Sequence, residues 1–194
     1  DAPVSPYAWS KAEAERAVLE ADSEELETVV VRPRFVWGAG DRSLLPGLIE
    51  AVEAGRFAWI SGGSYETSTT HVENAVEGIL RGAAVGRAGE VYFVTDGDPV
   101  EYRTFVTALL GSQGVEVPSR SVPRALARPV ALVCESIWRL IGIESTPPVT
   151  RTATDLLGVE VTIDDSKAHR ELGYEPVVSR REGLEELEER GGAR

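Results

Sequence analysis

The chain has 194 residues, 42% hydrophobic and 27% charged, which is the balance of a globular protein long enough to bury a core. Its formal net charge of −12 argues against a nucleic-acid partner, because phosphate binding needs a basic face. One cysteine, Cys134, lying in the apolar run ALVCESIW, excludes an internal disulfide framework, and two distant histidines give it no metal-ligand spacing.

No run of about eighteen apolar residues is free of charge, so no segment reads as a membrane span, and a cytoplasmic setting is the default expectation. The chain starts at Asp1 and contains no methionine, from which a missing upstream segment is expected.

Residues 7–22 lack proline and glycine and are rich in Ala, Glu, Lys and Arg, so they predict a helix, with Ser5-Pro6 before it. Residues 28–37, TVVVRPRFVW, are β-branched and aromatic. The unbroken VVV run reads as a strand buried on both faces, and Pro33 should end its regular pairing. Gly38 to Asp41 form a loop, and LLPGLIEAVEAG a helix capped by Gly55. Residues 57–60 are a short strand, followed by a turn at Gly62-Gly63-Ser64.

From Glu73 to Val85, Ala75, Val76, Ile79, Leu80 and Ala83 recur at helical spacing. Residues 91–95 form another short strand, closed by the turn signal Asp96-Gly97-Asp98-Pro99, and 101–110 a further helix. The segment 122–143 is apolar but interrupted by Arg124, Arg128, Glu135 and Arg139, which predicts amphipathic helices broken near Pro129. Pro147-Pro148 is a rigid break, and residues 159–163 alternate like an edge strand. Asp165 or Ser166 caps a short helix ending at Leu172-Gly173, and Ser179 to Glu182 has the capping-box spacing for the last one. The closing GGAR should fray. Strands alternating with helices predict an α/β fold with a largely parallel sheet, of which only two core strands are visible.

Only two lysines occur, Lys11 and Lys167, and Lys11 stands four residues after Tyr7. On a helix, i and i+4 lie one above the other. A phenol is almost never ionised at neutral pH, but a nearby ammonium favours the phenolate. The pair could then give a proton to a carbonyl or take one from an alcohol. The ammonium could also bond the vicinal hydroxyls of a sugar. The plain alternative is an incidental exposed pair on a charged helix. The strand that follows ends at Pro33 to Gly38, and in open parallel sheets ligands bind at the strands' carboxyl ends. Unpaired backbone groups in that stretch could contact a ring amide.

Five segments then carry a resemblance: PYAWSKAEAERAV, VVRPRFVWGAGD, TSTTHVENAVEGI, GEVYFVTDGDPV and DDSKAHRELGYEPVVSRREGL, with PPVTR at 147–151 beside them. In this order they resemble the C-terminal half of an extended short-chain dehydrogenase/reductase, in the 3-beta-hydroxysteroid dehydrogenase and NAD-dependent epimerase/dehydratase branch. The resemblance implies the C-terminal part of a Rossmann-like parallel sheet plus a smaller, mostly helical substrate lobe. Residues 1–45 and 65–97 would belong to the former, and 46–64 and 98–194 to the latter.

It implies an NAD(P)-dependent oxidoreductase acting on a CH–OH group. Tyr7 would be the acid/base. Lys11 would hold the nicotinamide ribose and favour the phenolate. Pro33 and Val36 would meet the nicotinamide carboxamide, with Arg34 beside them. Trp37 would either line the pocket or pack in the core, and His71 would either start a helix or act in the site. The family's glycine-rich turn and its catalytic Ser or Thr have no match here, so the chain alone should bind NAD or NADP poorly. The substrate would be a small molecule, sterol-like if the 122–143 segment forms an apolar lobe, with membrane contact disfavoured and a homodimer possible by analogy. A nucleotide-sugar epimerase or dehydratase stays open, with Arg120, Arg124 and Arg151 available for a diphosphate. So does a non-catalytic dinucleotide-binding or interaction protein.

Overall fold

The computed structural model describes residues 6–127, 129, 131–132 and 159–191. Ser5, Cys134, Pro147-Pro148, PPVTR with its Arg151, most of 122–143 and the last three residues lie outside the described residues. Two compact units are distinguished: residues 1–40, 67–100 and 161–194, and residues 41–66 and 101–160.

The first unit is built on two parallel strands, β1 (Val29–Pro33) and β6 (Glu90–Val94), in register from Val29 opposite Glu90 to Pro33 opposite Val94. Side chains alternate across this pair. Val29 and Val31 join Tyr92, Val94, Ala168, Leu172 and Tyr174 in one core cluster. Ala168 and Leu172 come from helix α5 (Ser166–Leu172), which ends on Gly173 in the left-handed conformation. Arg32 turns the other way, onto helix α1 (Pro6–Glu20). The pair therefore carries helices on both faces, as a parallel sheet requires.

Helix α3 (Val72–Val85) lies against the core face of the same strands. Its contact side is small: a Cβ on Gly78 would stand 2.7 Å from Cγ1 of Val94, and one on Gly82 3.0 Å from Cγ2 of Val31. The glycines let the helix sit close, and its stripe is rotated from the one the hydrophobic spacing predicts. Ala75 is buried as expected, but Val76, Ile79 and Leu80 are exposed.

Short parallel strands β2 (Val36–Trp37) and β5 (Thr70–His71) pair beyond β1. Residues 159–163 make a single bridge, Val161 to Thr67, instead of a strand. The final helix, α6 (Arg180–Gly191), has the predicted capping box. The Ser179 hydroxyl and N–H donate to Glu182 Oε2 at 2.6 and 3.0 Å, and the Glu182 N–H returns to Ser179 Oγ at 3.3 Å. The described residues 161–191 thus lie with the strand pair, whereas the resemblance places all of 98–194 in the lobe. The physical reason is the burial of Leu172 and Tyr174 against Tyr92 and Val94.

In the second unit, helix α2 (Leu44–Glu53) packs on α4 (Tyr102–Gly111), whose Tyr102, Phe105, Val106, Leu109 and Leu110 are buried. Strand β3 (Trp59–Ile60) runs parallel to β8 (Ser121–Val122). The Trp59 ring is buried and its Nε1 donates to the Pro118 carbonyl at 2.9 Å. As the sequence indicates, the chain leaves α2 through Gly55 at φ +65°.

Candidate active site

The Tyr7 and Lys11 side chains share one side of α1, and the Lys11 ammonium stands 5.7 Å from the centroid of the Tyr7 ring. No carboxylate among the described residues is paired with that ammonium. Tyr7 is 56% exposed. The buried tyrosines are spoken for. Burial first, then the Asp96 and Asp165 carboxylates, push the Tyr174 hydroxyl far above its usual range, and it donates to the Thr95 carbonyl at 2.7 Å. Burial and Tyr65 likewise push Tyr102 up. Tyr7 is thus the phenol most open to a ligand.

Two anchors fix how α1 runs along β1. At the helix's C-terminal end, the Thr28 N–H and hydroxyl donate to Asp22 Oδ1 at 2.7 and 2.9 Å. Further back, the Arg32 guanidinium grips both oxygens of Glu15, Nε donating to Oε2 at 2.7 Å. Helix and strand are therefore antiparallel. Lys11 and Tyr7 lie about 6 and 12 Å beyond Glu15 along the helix axis. At about 3.3 Å per strand residue, the same distance past Arg32 spans residues 34–36. Tyr7 and Lys11 are level with the chain leaving the carboxyl end of β1.

That chain is unusual. Pro33 closes the pairing with Val94. The Arg34 N–H donates to Thr70 Oγ1 at 3.0 Å, and the Thr70 hydroxyl lies 2.9 Å from the Arg34 carbonyl. The Arg34 main chain is consequently not the unpaired group expected from sequence. Phe35 has φ +50°, a strained value for a bulky residue and a frequent mark of a functional segment. Val36 is 40% exposed. Trp37 is buried and its Nε1 donates to Asp96 Oδ2 at 2.7 Å, so packing and not pocket lining describes it.

Asp96, read from sequence as a turn residue, is the hub of this region. Oδ2 also accepts the Thr69 hydroxyl at 2.7 Å. Oδ1 accepts the His71 N–H at 2.5 Å and Asn74 Nδ2 at 2.7 Å. Asn74 in turn accepts the N–H groups of Val177 and Val178 at 2.8 and 2.9 Å and donates to the Val178 carbonyl at 2.8 Å. Arg180 Nε donates to Thr69 Oγ1 at 3.0 Å. His71 takes the structural role: it is fully buried, and its Nδ1 accepts the Glu73 N–H at 3.3 Å at the start of α3. Its Nε2 has no hydrogen-bond partner among the described residues, with a Glu186 carboxylate oxygen 3.9 Å away.

The family model described as the 3-beta hydroxysteroid dehydrogenase/isomerase family matches residues 1–124. The chain belongs to that family.

Similarity to known proteins extends beyond the matched segment. A 4-hydroxy-2-methyl-3-oxo-4-farnesyl-3,4-dihydroquinoline-1-oxide ketoreductase of Stigmatella aurantiaca is 48% identical over 98% of this chain and 57% of its own length. A 2-alkyl-3-oxoalkanoate reductase of Stenotrophomonas maltophilia is 36% identical over 94% of this chain and 57% of its own length. The chain thus spans 57% of each of these curated relatives. The dTDP-glucose 4,6-dehydratase DesIV of Streptomyces venezuelae, solved with NAD bound, superposes at a TM-score of 0.67 and 25% identity, over 97% of this chain and 51% of that one. The fold is accordingly part of a Rossmann-like α/β architecture.

A nicotinamide and its ribose, if bound at the carboxyl end of β1, would meet open side chains there. Among the described residues, an exposed phenol and an ammonium with no paired carboxylate stand level with a strained segment that exposes Val36. Among the described residues, no His, Cys, Asp or Glu group is arranged to hold a metal ion, and no helix is long and apolar enough to cross a membrane.

Proposed function

We propose that this chain carries the acid/base half of an NAD(P)-dependent oxidoreductase that interconverts a ketone and a secondary alcohol on an apolar molecule. The observation that carries the reading is the Tyr7–Lys11 pair, exposed on α1 and level with the segment leaving β1. Lys11 binds the nicotinamide ribose through its hydroxyls and stands beside the Tyr7 phenol. Pro33 and Val36 pack beside the nicotinamide carboxamide, with Arg34 next to them. When bound, the nicotinamide supplies the hydride in reduction and accepts it in oxidation. In reduction, Tyr7 gives its phenolic proton to the substrate's carbonyl oxygen; in oxidation, the Tyr7 phenolate takes the hydroxyl proton.

The two relatives named above are a ketoreductase and a 3-oxoalkanoate reductase, and their names describe a 3-oxo group on a farnesyl- or alkyl-bearing molecule. Their identity to this chain supports a 3-oxo compound with a long apolar substituent as the substrate class, and the matched family keeps a sterol-like alcohol beside it. Residues 41–66 and 101–160 are the proposed substrate lobe.

The test is Tyr7→Phe in the whole protein, assayed with NADH and NADPH against apolar 3-oxo compounds and sterols. Loss of the proton donor is expected to lower kcat about 10²–10⁴-fold while the dinucleotide KM changes little. Activity within a few-fold of the parent would remove Tyr7 from the mechanism. Net consumption of the nicotinamide is expected. Turnover without it would instead identify the epimerase or dehydratase chemistry of the same scaffold, in which the hydride returns to the substrate.

A further inference from the structure

We infer that Asp96 is a positioning residue for the dinucleotide site, acting through Trp37 on residues 34–36. The inference rests on the proposed reading that this segment meets the nicotinamide.

Residues 34–36 are held by Thr70, which bonds the Arg34 main chain and whose N–H donates to the Phe35 carbonyl at 3.3 Å, and by a fixed point at each end that belongs to one strand end. At one end, Pro33 is paired with Val94. At the other, Trp37 Nε1 is bonded to Asp96, two residues further along the same chain. An indole N–H is a donor only, so a carboxylate oxygen suits it better than any group that must also donate. The ring has little room to take another seat. It makes a T-shaped contact with His71, 4.9 Å between centroids and 77° between planes. Its far edge abuts Gly183, where a Cβ would lie 2.7 Å from Trp37 Cη2.

Between these points Phe35 is held at φ +50°. Strain of this kind persists only where the surroundings over-determine it. On the Trp37 side that constraint comes from Asp96 together with the pairing of Trp37 with His71, whose N–H Asp96 also holds. Asp96 accepts donors from Thr69, His71 and Asn74, so all its strong acceptor positions are engaged and the carboxylate is itself immobile. Loosening the Trp37 bond removes the side-chain part of this constraint and is expected to relax Phe35 and shift Val36.

Trp37→Phe removes the N–H and keeps an aromatic ring in place. In the whole protein it is expected to raise the KM and Kd for the nicotinamide dinucleotide about ten-fold, from the loss of one hydrogen bond to a charged acceptor. The KM for the carbonyl substrate and kcat should stay within about two-fold, a split that general destabilisation does not produce. Asp96→Asn places an amide among four donors and should weaken dinucleotide binding at least as much. Adding Trp37→Phe to it should then cause little further loss. If Asp96→Asn does not fold, Trp37→Phe decides alone. Unchanged dinucleotide affinity in Trp37→Phe overturns the inference and leaves the proposed function standing. A parent protein that binds no nicotinamide dinucleotide removes both.

Discussion

Three main-chain N–H groups converge on Asp41 at the start of α2: those of Ser43 and Leu44 on Oδ1 at 2.8 and 3.0 Å, and that of Leu45 on Oδ2 at 2.7 Å. Burial alone would raise the Asp41 carboxyl, but these donors and the Ser43 hydroxyl outweigh it and hold the pKa below its ordinary value. A carboxylate depressed in the folded state adds stability that is complete above the unfolded value of about 4 and fades as pH falls through the folded one. Asp41→Ala is therefore expected to cost about 1 kcal/mol at neutral pH, and progressively less in acid, in denaturation followed across pH. A cost that does not shrink in acid would contradict this.

Other single residues differ in how far sequence exposes them. Tyr7 and Lys11 are legible because four residues is one helical turn, so local spacing alone brings them together. The Ser179–Glu182 capping box is legible for the same reason. Asp96 is not, because its donors Trp37, Thr69, His71 and Asn74 stand 59, 27, 25 and 22 residues away in sequence. The only local signal is Asp-Gly, which reads as a turn.

Elements show where periodicity misleads. The apolar spacing along α3 predicts a buried stripe that includes Val76, Ile79 and Leu80, yet these are exposed while Gly78 and Gly82 face the sheet. Close approach of a helix to two strands selects for the absence of a side chain, which hydrophobicity does not score. Gly78→Ala forces a Cβ to 2.7 Å from Val94 and is expected to cost about 1–3 kcal/mol in equilibrium unfolding. Gly47, inside α2, has nothing within 4 Å of a built Cβ. Gly47→Ala should raise stability by about 0.5–1 kcal/mol, as Ala does in an open helix position. Equal effects of the two substitutions would refute the packing account of α3. The β1–β6 pair, by contrast, is legible: β-branched runs without polar alternation belong to strands covered on both sides.

At the scale of the molecule, the chain falls into two units and spans 57% of the curated relatives described above. The α/β class, the parallel pairing and most helix positions follow from the residue pattern. The return of 161–194 to the strand-bearing unit does not, because it depends on Leu172 and Tyr174 packing against strand residues some eighty positions earlier.

In the proposed function, the Tyr7–Lys11 face binds a nicotinamide dinucleotide. Calorimetric titration of the whole protein with NADH and with NADPH, alongside Lys11→Ala, tests it most directly. Saturable one-to-one binding of at least one of them is expected, weakened about ten-fold by loss of the ammonium. Binding that Lys11→Ala leaves unchanged, or no binding of either dinucleotide, would contradict it.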